Sequence, residues 1–254
     1  LSDRLYNVHG AREKSQQDVI EMEKALTTIG FDADDTLWHN ERFFKLTQTH
    51  FTELLADHAD RDHLLDRLLA AEKRNIRHYG YGIKGFTLSM IETAIEVTDD
   101  HVPASVIRQL VEAGQDMLAH PIELLPHARE AIQAVTDTHR VILITKGDLI
   151  DQERKLAQSG LGELFDEVEI VSEKSAQTYR DIFARHGDGP ESAMMVGNSM
   201  RSDVVAPIQA GCWGVYVPHG LVWEIEKAET PADNPRYREM RDLGELADLV
   251  QRLS

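Results

Sequence analysis

Beyond Pro126, short apolar runs alternate with amphipathic segments, and this alternation restricts the chain to one fold class. Val141-Ile142-Leu143-Ile144, about Val168 to Val171, Met194-Met195-Val196 and Val215-Tyr216-Val217 each read as a strand. Helices are expected over about His127 to Asp137, Leu149 to Ser159, Ala176 to His186 and Val204 to Ala210, with a last one at about Leu243 to Leu253. Gly160 suits the cap that closes the second of these. Strands this apolar, interleaved with helices, need both faces covered, which means an α/β fold with a parallel sheet. Leu26 to Asp32 reads as an earlier strand of the same kind, and Pro218 to Tyr237, with three prolines, reads mostly as loop.

Between the first strand and the rest, the period changes. From Glu41 to about Pro121 the apolar positions follow helical spacing: Phe43, Phe44, Phe51, Leu54 and Leu55 on one face, then Leu64, Leu65, Leu68 and Leu69. His78 to Gly85 holds three glycines and reads as a loop, with a helix resuming from Phe86 to Val97. Pro103 suits the first turn of another helix carrying Val106, Ile107, Leu110 and Val111. Residues 41–121 are therefore expected to form an all-helical inserted domain. Residues 25–40 and 122–254 would form the catalytic core, and 1–24 an N-terminal extension with a short helix over 14–24.

Composition excludes several classes. A net charge of −17 opposes binding to nucleic acid or an anionic membrane, both of which need a positive patch. No apolar stretch approaches the ~20 residues of a membrane span. Leu1 to Lys24 is polar and charged and is not expected to act as a signal peptide. The single cysteine, Cys212, leaves no internal disulfide and reads as a small buried hydrophobe, in keeping with a reducing, cytoplasmic setting. Twelve histidines are scattered without a convincing pair and read as surface residues.

The chemistry lies where strands end. The first strand runs into Asp32-Ala33-Asp34-Asp35-Thr36, the second into Thr145-Lys146-Gly147-Asp148, and the third is followed by Ser172-Glu173-Lys174. The fourth continues into Gly197-Asn198-Ser199-Met200-Arg201-Ser202-Asp203. In a parallel sheet all four carboxyl ends lie on one edge, so these residues converge. A carboxylate at Asp32 suits a nucleophile or metal ligand, and one at Asp34 suits an acid and base beside it. A hydroxyl at Thr145, a cation at Lys174 or Lys146 and a further carboxylate at Asp203 would share that edge.

These four motifs, in this order across residues 26–217, resemble the haloacid dehalogenase-like superfamily. The resemblance implies a Rossmann-like three-layer core with the helical insertion as a C1-type cap. It implies that Asp32 attacks phosphorus to form an aspartyl-phosphate, while Asp34 protonates the leaving oxygen and later activates water. Mg²⁺ would be held by Asp32, the Asp34 main-chain carbonyl and Asp203. Thr145 and Lys174 would bind the phosphoryl group, with Lys146 as a further substrate cation. Members that displace halide lack an Asp at the position of Asp34, because halide needs no proton. Asn198 stands where many members have Asp, and its oxygen is expected to hold a metal-bound water.

The implied function is a Mg²⁺-dependent phosphatase of a small phosphorylated metabolite. The alternatives are a phosphomutase, in which a sugar phosphate accepts the phosphoryl group, and a non-catalytic phosphate-binding protein on the same scaffold. Asp35 is expected to be a turn residue facing water and Trp38 to pack between core and cap. Arg77, Tyr79, Tyr81 and Lys84 surround the glycine-rich loop, which fits a lid over the site or a plain exposed connection equally well.

Overall fold

The computed structural model describes residues 24–253, and the helix expected before Lys24 lies outside them. Six strands form one sheet in the order β3-β2-β1-β4-β5-β6, with every pairing parallel. They are β1 Thr28–Phe31, β2 Arg140–Lys146, β3 Glu167–Val171, β4 Ala193–Gly197, β5 Trp213–Tyr216 and β6 Tyr237–Glu239. This is the doubly wound order in which the crevice opens beside the central strand, at the point where the winding reverses. Here that strand is β1, flanked by β2 and β4.

The central strands are buried for the reason their sequences suggest. β1 and β4 are buried along their whole length, and β2 from Val141 to Ile144. One face packs through Phe31, Leu143, Val196 and Ile132, the other through Ile144, Met195, Phe183 and Tyr179. Helices α5 (Ala128–Thr136) and α9 (Leu246–Leu253) cover the first face, and α7 (Ala176–His186) and α8 (Ala206–Ala210) the second. Helix α6 (Leu149–Ser159) opens directly after β2 and brings its own residues to the sheet edge.

Four helices stand between β1 and α5: α1 Glu41–Leu54, α2 Arg61–Tyr79, α3 Ile83–Val97 and α4 Ala104–Ala119. They enclose a separate apolar cluster around Phe51, Leu55, Leu68, Phe86, Met90 and Leu110. The loop expected over His78 to Gly85 shrinks to residues 80–82, because helix continues on both sides up to two glycines with positive φ, Gly80 at 73° and Gly82 at 106°. At the α3–α4 crossing, a Cβ on Gly114 would stand 2.3 Å from Thr87 Oγ1, so the helices approach as closely as glycine permits.

Two other elements differ from expectation. The helix expected from Val204 begins earlier, as a π-helical turn over Met200–Val205. A further strand, β6, starts where the loop expected over Pro218 to Tyr237 ends, and its Tyr-Arg-Glu sequence lacks apolar alternation because it pairs on one side only, at the sheet edge. Arg238 and Arg236 from this edge lie over the Trp213 ring, at 4.6 and 5.5 Å. No described helix is long and apolar enough to cross a membrane.

Candidate active site

Asp32 leaves β1 with its N–H still bonded to the Val196 carbonyl at 2.9 Å, which fixes the carboxylate at the sheet edge between β2 and β4. Its Oδ1 accepts from Lys174 Nζ at 2.5 Å and its Oδ2 from Thr36 Oγ1 at 2.9 Å. Lys174 also bonds Asp203 Oδ1 at 2.7 Å, and Asp203 Oδ2 accepts the Ser199 N–H at 2.9 Å. All three side chains are buried. Gly197 gives Asp203 its room, since a Cβ there would lie 2.4 Å from Oδ2. Burial, and then the Asp203 charge, push the Asp32 carboxyl up to about 7 against the pull of Lys174.

Asp34 sits beside this group but is tied elsewhere. Oδ1 accepts from Trp38 Nε1 at 2.7 Å and Lys155 Nζ at 3.0 Å; Oδ2 accepts from Gln152 Nε2 at 2.8 Å and Lys155 at 3.1 Å. Burial raises its carboxyl, but the Lys155 ammonium and these hydrogen bonds outweigh that and hold it below the usual carboxylate range. Gln152 and Lys155 lie three residues apart on one face of α6, whose N-terminus Asp148 caps by accepting from the Asp151 N–H at 3.1 Å.

Thr145 is the last residue but one of β2, two residues past the register pair Phe31 and Leu143, and lines the same cavity as Asp32, Asp34, Lys174, Asn198 and Asp203. Every site residue expected from the sequence therefore comes to one crevice. Lys146 lines it as well, but its charge is engaged: Nζ pairs with Glu226, donates to Ser202 Oγ at 2.9 Å and lies 4.2 Å over the Tyr81 ring. Glu226 also accepts from Ser199 and Ser202.

Asn198 was expected to present its oxygen. The hydrogen-bond network instead turns the amide nitrogen inward, donating to Asp34 O at 3.0 Å, Thr36 Oγ1 at 3.2 Å and Asp32 Oδ2 at 3.3 Å. A donor satisfying the Asp34 carbonyl and the Asp32 carboxylate together marks a spot where oxygen atoms converge. Three carboxylates, Asp32, Asp34 and Asp203, meet only Lys174 and Lys155 there. That donor set and charge balance fit a hard divalent cation such as Mg²⁺.

Two expectations are corrected. Asp35 does not face water: it is buried and accepts the N–H groups of Asn40 and Glu41, both at 2.8 Å, at the start of α1. The histidines are not all isolated surface residues, since His39 and His219 approach Asp35 with one donor atom each within 4.8 Å of one another. Of the residues around the glycine loop, Tyr81 and Lys84 reach the core, through Glu173 Oε2 at 2.7 Å and Asp148 at 2.9 Å. Tyr79 instead bonds Glu92 on α3. Trp38 is fully buried, as expected, with the added bond to Asp34.

Sequence reasoning missed Lys155, Gln152 and Glu226. Lys155 carried one weak signal, a cation on the inward face of an amphipathic helix that starts at a site strand. Glu226 carried none, lying in a stretch read as loop.

The comparisons agree with this arrangement. The family model for haloacid dehalogenase-like hydrolases matches residues 26–211. A glyceraldehyde 3-phosphate phosphatase from Methanothermobacter thermautotrophicus is 22% identical over 240 residues, covering 89% of this chain and 100% of that protein. The crystal structure of a haloacid dehalogenase-like family hydrolase from Xanthomonas campestris is 43% identical, with a TM-score of 0.80, covering 90% of this chain and 92% of that one. An L-2-haloacid dehalogenase from Xanthobacter autotrophicus shares the fold at 16% identity, with a TM-score of 0.62, covering 90% of this chain and 100% of its own.

Proposed function

The chain belongs to the haloacid dehalogenase-like hydrolases, and from that membership we propose that it is a Mg²⁺-dependent phosphatase of small phosphomonoesters. The observation that carries the reading is Asp34, a carboxylate beside Asp32 in the same crevice. Displacing halide calls for no proton donor, whereas an alkoxide leaving from phosphorus does. The phosphatase among the relatives supports the same choice.

In this reading a carboxylate oxygen of Asp32 attacks phosphorus and the bond to the ester oxygen breaks. Asp34 gives its proton to the departing alcohol. It then takes one from water, which attacks the aspartyl-phosphate, freeing inorganic phosphate and restoring Asp32. Lys174 neutralises charge on Asp32 and the phosphoryl oxygens, and Thr145 donates its hydroxyl to one of them. Asp32, Asp203, the Asp34 carbonyl and Asn198, with its amide turned, would hold Mg²⁺, which supplies charge compensation to the phosphoryl group. For the first step Asp34 must leave Lys155 and Gln152 in protonated form. The four-helix block, residues 41–121, acts as the cap that shields the crevice from water.

The test is Mg²⁺-dependent phosphate release from an aryl phosphate. Activity is expected to fall to background in Asp32→Asn and in Asp34→Asn. Unchanged turnover in Asp32→Asn would remove the proposed nucleophile. Halide release from a 2-haloacid would point to dehalogenation, and hexose phosphate isomerisation without free phosphate to a mutase.

A further inference from the structure

The crevice does not end at the sheet edge. The same cavity, about 1130 Å³ with its open mouth included, runs on into the four-helix block, where Glu41, Phe44, Glu72, Asn75 and Ile76 line it. Glu41 opens α1 and Glu72 lies midway along α2, and both are more than nine-tenths buried, at 8% and 6% exposure. Glu41 Oε1 has no hydrogen-bond partner. The cation nearest to it, Lys45 Nζ, stands 3.5 Å away on a side chain that is 45% exposed. The Glu72 carboxylate makes no hydrogen bond or ion pair among the described residues. Asn75 beside them is engaged, donating to Ser89 Oγ at 3.2 Å and Glu92 at 2.8 Å.

Two buried carboxylates facing one cavity, with one half-exposed ammonium, Lys45, to offset them, form a costly arrangement unless something fills it. Burial pushes both up to about 7; Glu41 adds its charge against Glu72 and Asp35 against Glu41, and the Lys45 ammonium only partly offsets this. A glutamine at either position would hold the same shape with less strain, so packing does not explain the charge. Resting on the phosphatase reading, we propose that Glu41 and Glu72 form a cation subsite for the leaving group. The substrate class is then the phosphomonoester of an amino alcohol, with its protonated amine seated between the two carboxylates. An ammonium fits both requirements, because it supplies three donors and a positive charge at once. A hydroxyl supplies a donor but leaves the charge in place.

Phosphate release is measured for short ω-aminoalkyl phosphates and for the alkyl phosphates of the same lengths, with an aryl phosphate as common reference. The amino ester is expected to show kcat/KM higher by about tenfold or more at its best length. In Glu72→Gln, which is isosteric and removes a buried charge, that ratio should collapse toward one. Equal kcat/KM for amino and alkyl esters throughout overturns the subsite, while aryl phosphate turnover leaves the phosphatase reading intact. Should no ester be hydrolysed, that reading falls and binding decides the subsite. Free amino alcohols then raise the Tm of the wild type but not of Glu72→Gln if the subsite holds, and of neither protein if it does not.

Discussion

Lys174 holds two carboxylates with one ammonium, at 2.5 and 2.7 Å, and burial makes both contacts strong. Its charge is thus committed within the fold itself, and the carboxylate pair is pre-organised. Glu72 is the opposite case, a buried carboxyl with no hydrogen bond or ion pair among the described residues, which the Lys45 ammonium offsets only from a distance. Its carboxyl rises from an ordinary 4.5 to about 7, through burial first and Glu41 second. The folded state therefore prefers the protonated form. Stability is full below about pH 4.5, falls as pH rises through 7 and is level above that. Glu72→Gln should match the wild type near pH 4 and exceed it by about 2–3 kcal/mol near pH 8. Thermal denaturation across that range checks it, and a gap independent of pH would contradict it. Glu41 and Lys45 are the charged neighbours to control for, since both act on Glu72.

At the scale of elements, the α3–α4 crossing is as tight as glycine allows, with Thr87 filling the space a side chain on Gly114 would need. Gly114→Val should drive α4 off α3 and cost about 1–3 kcal/mol. Hydrogen exchange should speed up in α3 and α4 while the central strands keep their protection. Uniform loosening of the whole molecule would show that the block and the sheet unfold as one. The central elements were legible because burial on both faces writes itself as an apolar run, as in Met194-Met195-Val196. The candidate site was legible for a related reason, since strand order turns distant strand ends into neighbours. β6 was not legible, because an edge strand of Tyr237, Arg238 and Glu239 is held by backbone pairing and by arginines on Trp213. Asp35 was misread for want of a partner. Only the fold shows the two backbone N–H groups at the start of α1 that take its carboxylate inward.

Over the whole molecule, the helical block meets the sheet edge through few polar contacts. Tyr81 donates to Glu173, and Lys84 pairs with Asp148, the residue that caps α6. The second pair is half-exposed and weak alone. Removing both in Tyr81→Phe with Lys84→Ala should raise KM by about three- to tenfold and lower kcat less, as expected when closure over the substrate becomes less favourable. An unchanged KM would show that these contacts do not hold the block in place. The molecule carries a further asymmetry. The family match stops at residue 211, yet Glu226, which neutralises Lys146 and takes hydrogen bonds from Ser199 and Ser202, lies beyond it. Within residues 26–211 Lys146 keeps only its longer pair with Glu173, at 3.6 Å. A domain cut or grafted at that boundary would lose the closer carboxylate of the two. The tail belongs to the working unit and should travel with it in any chimaera.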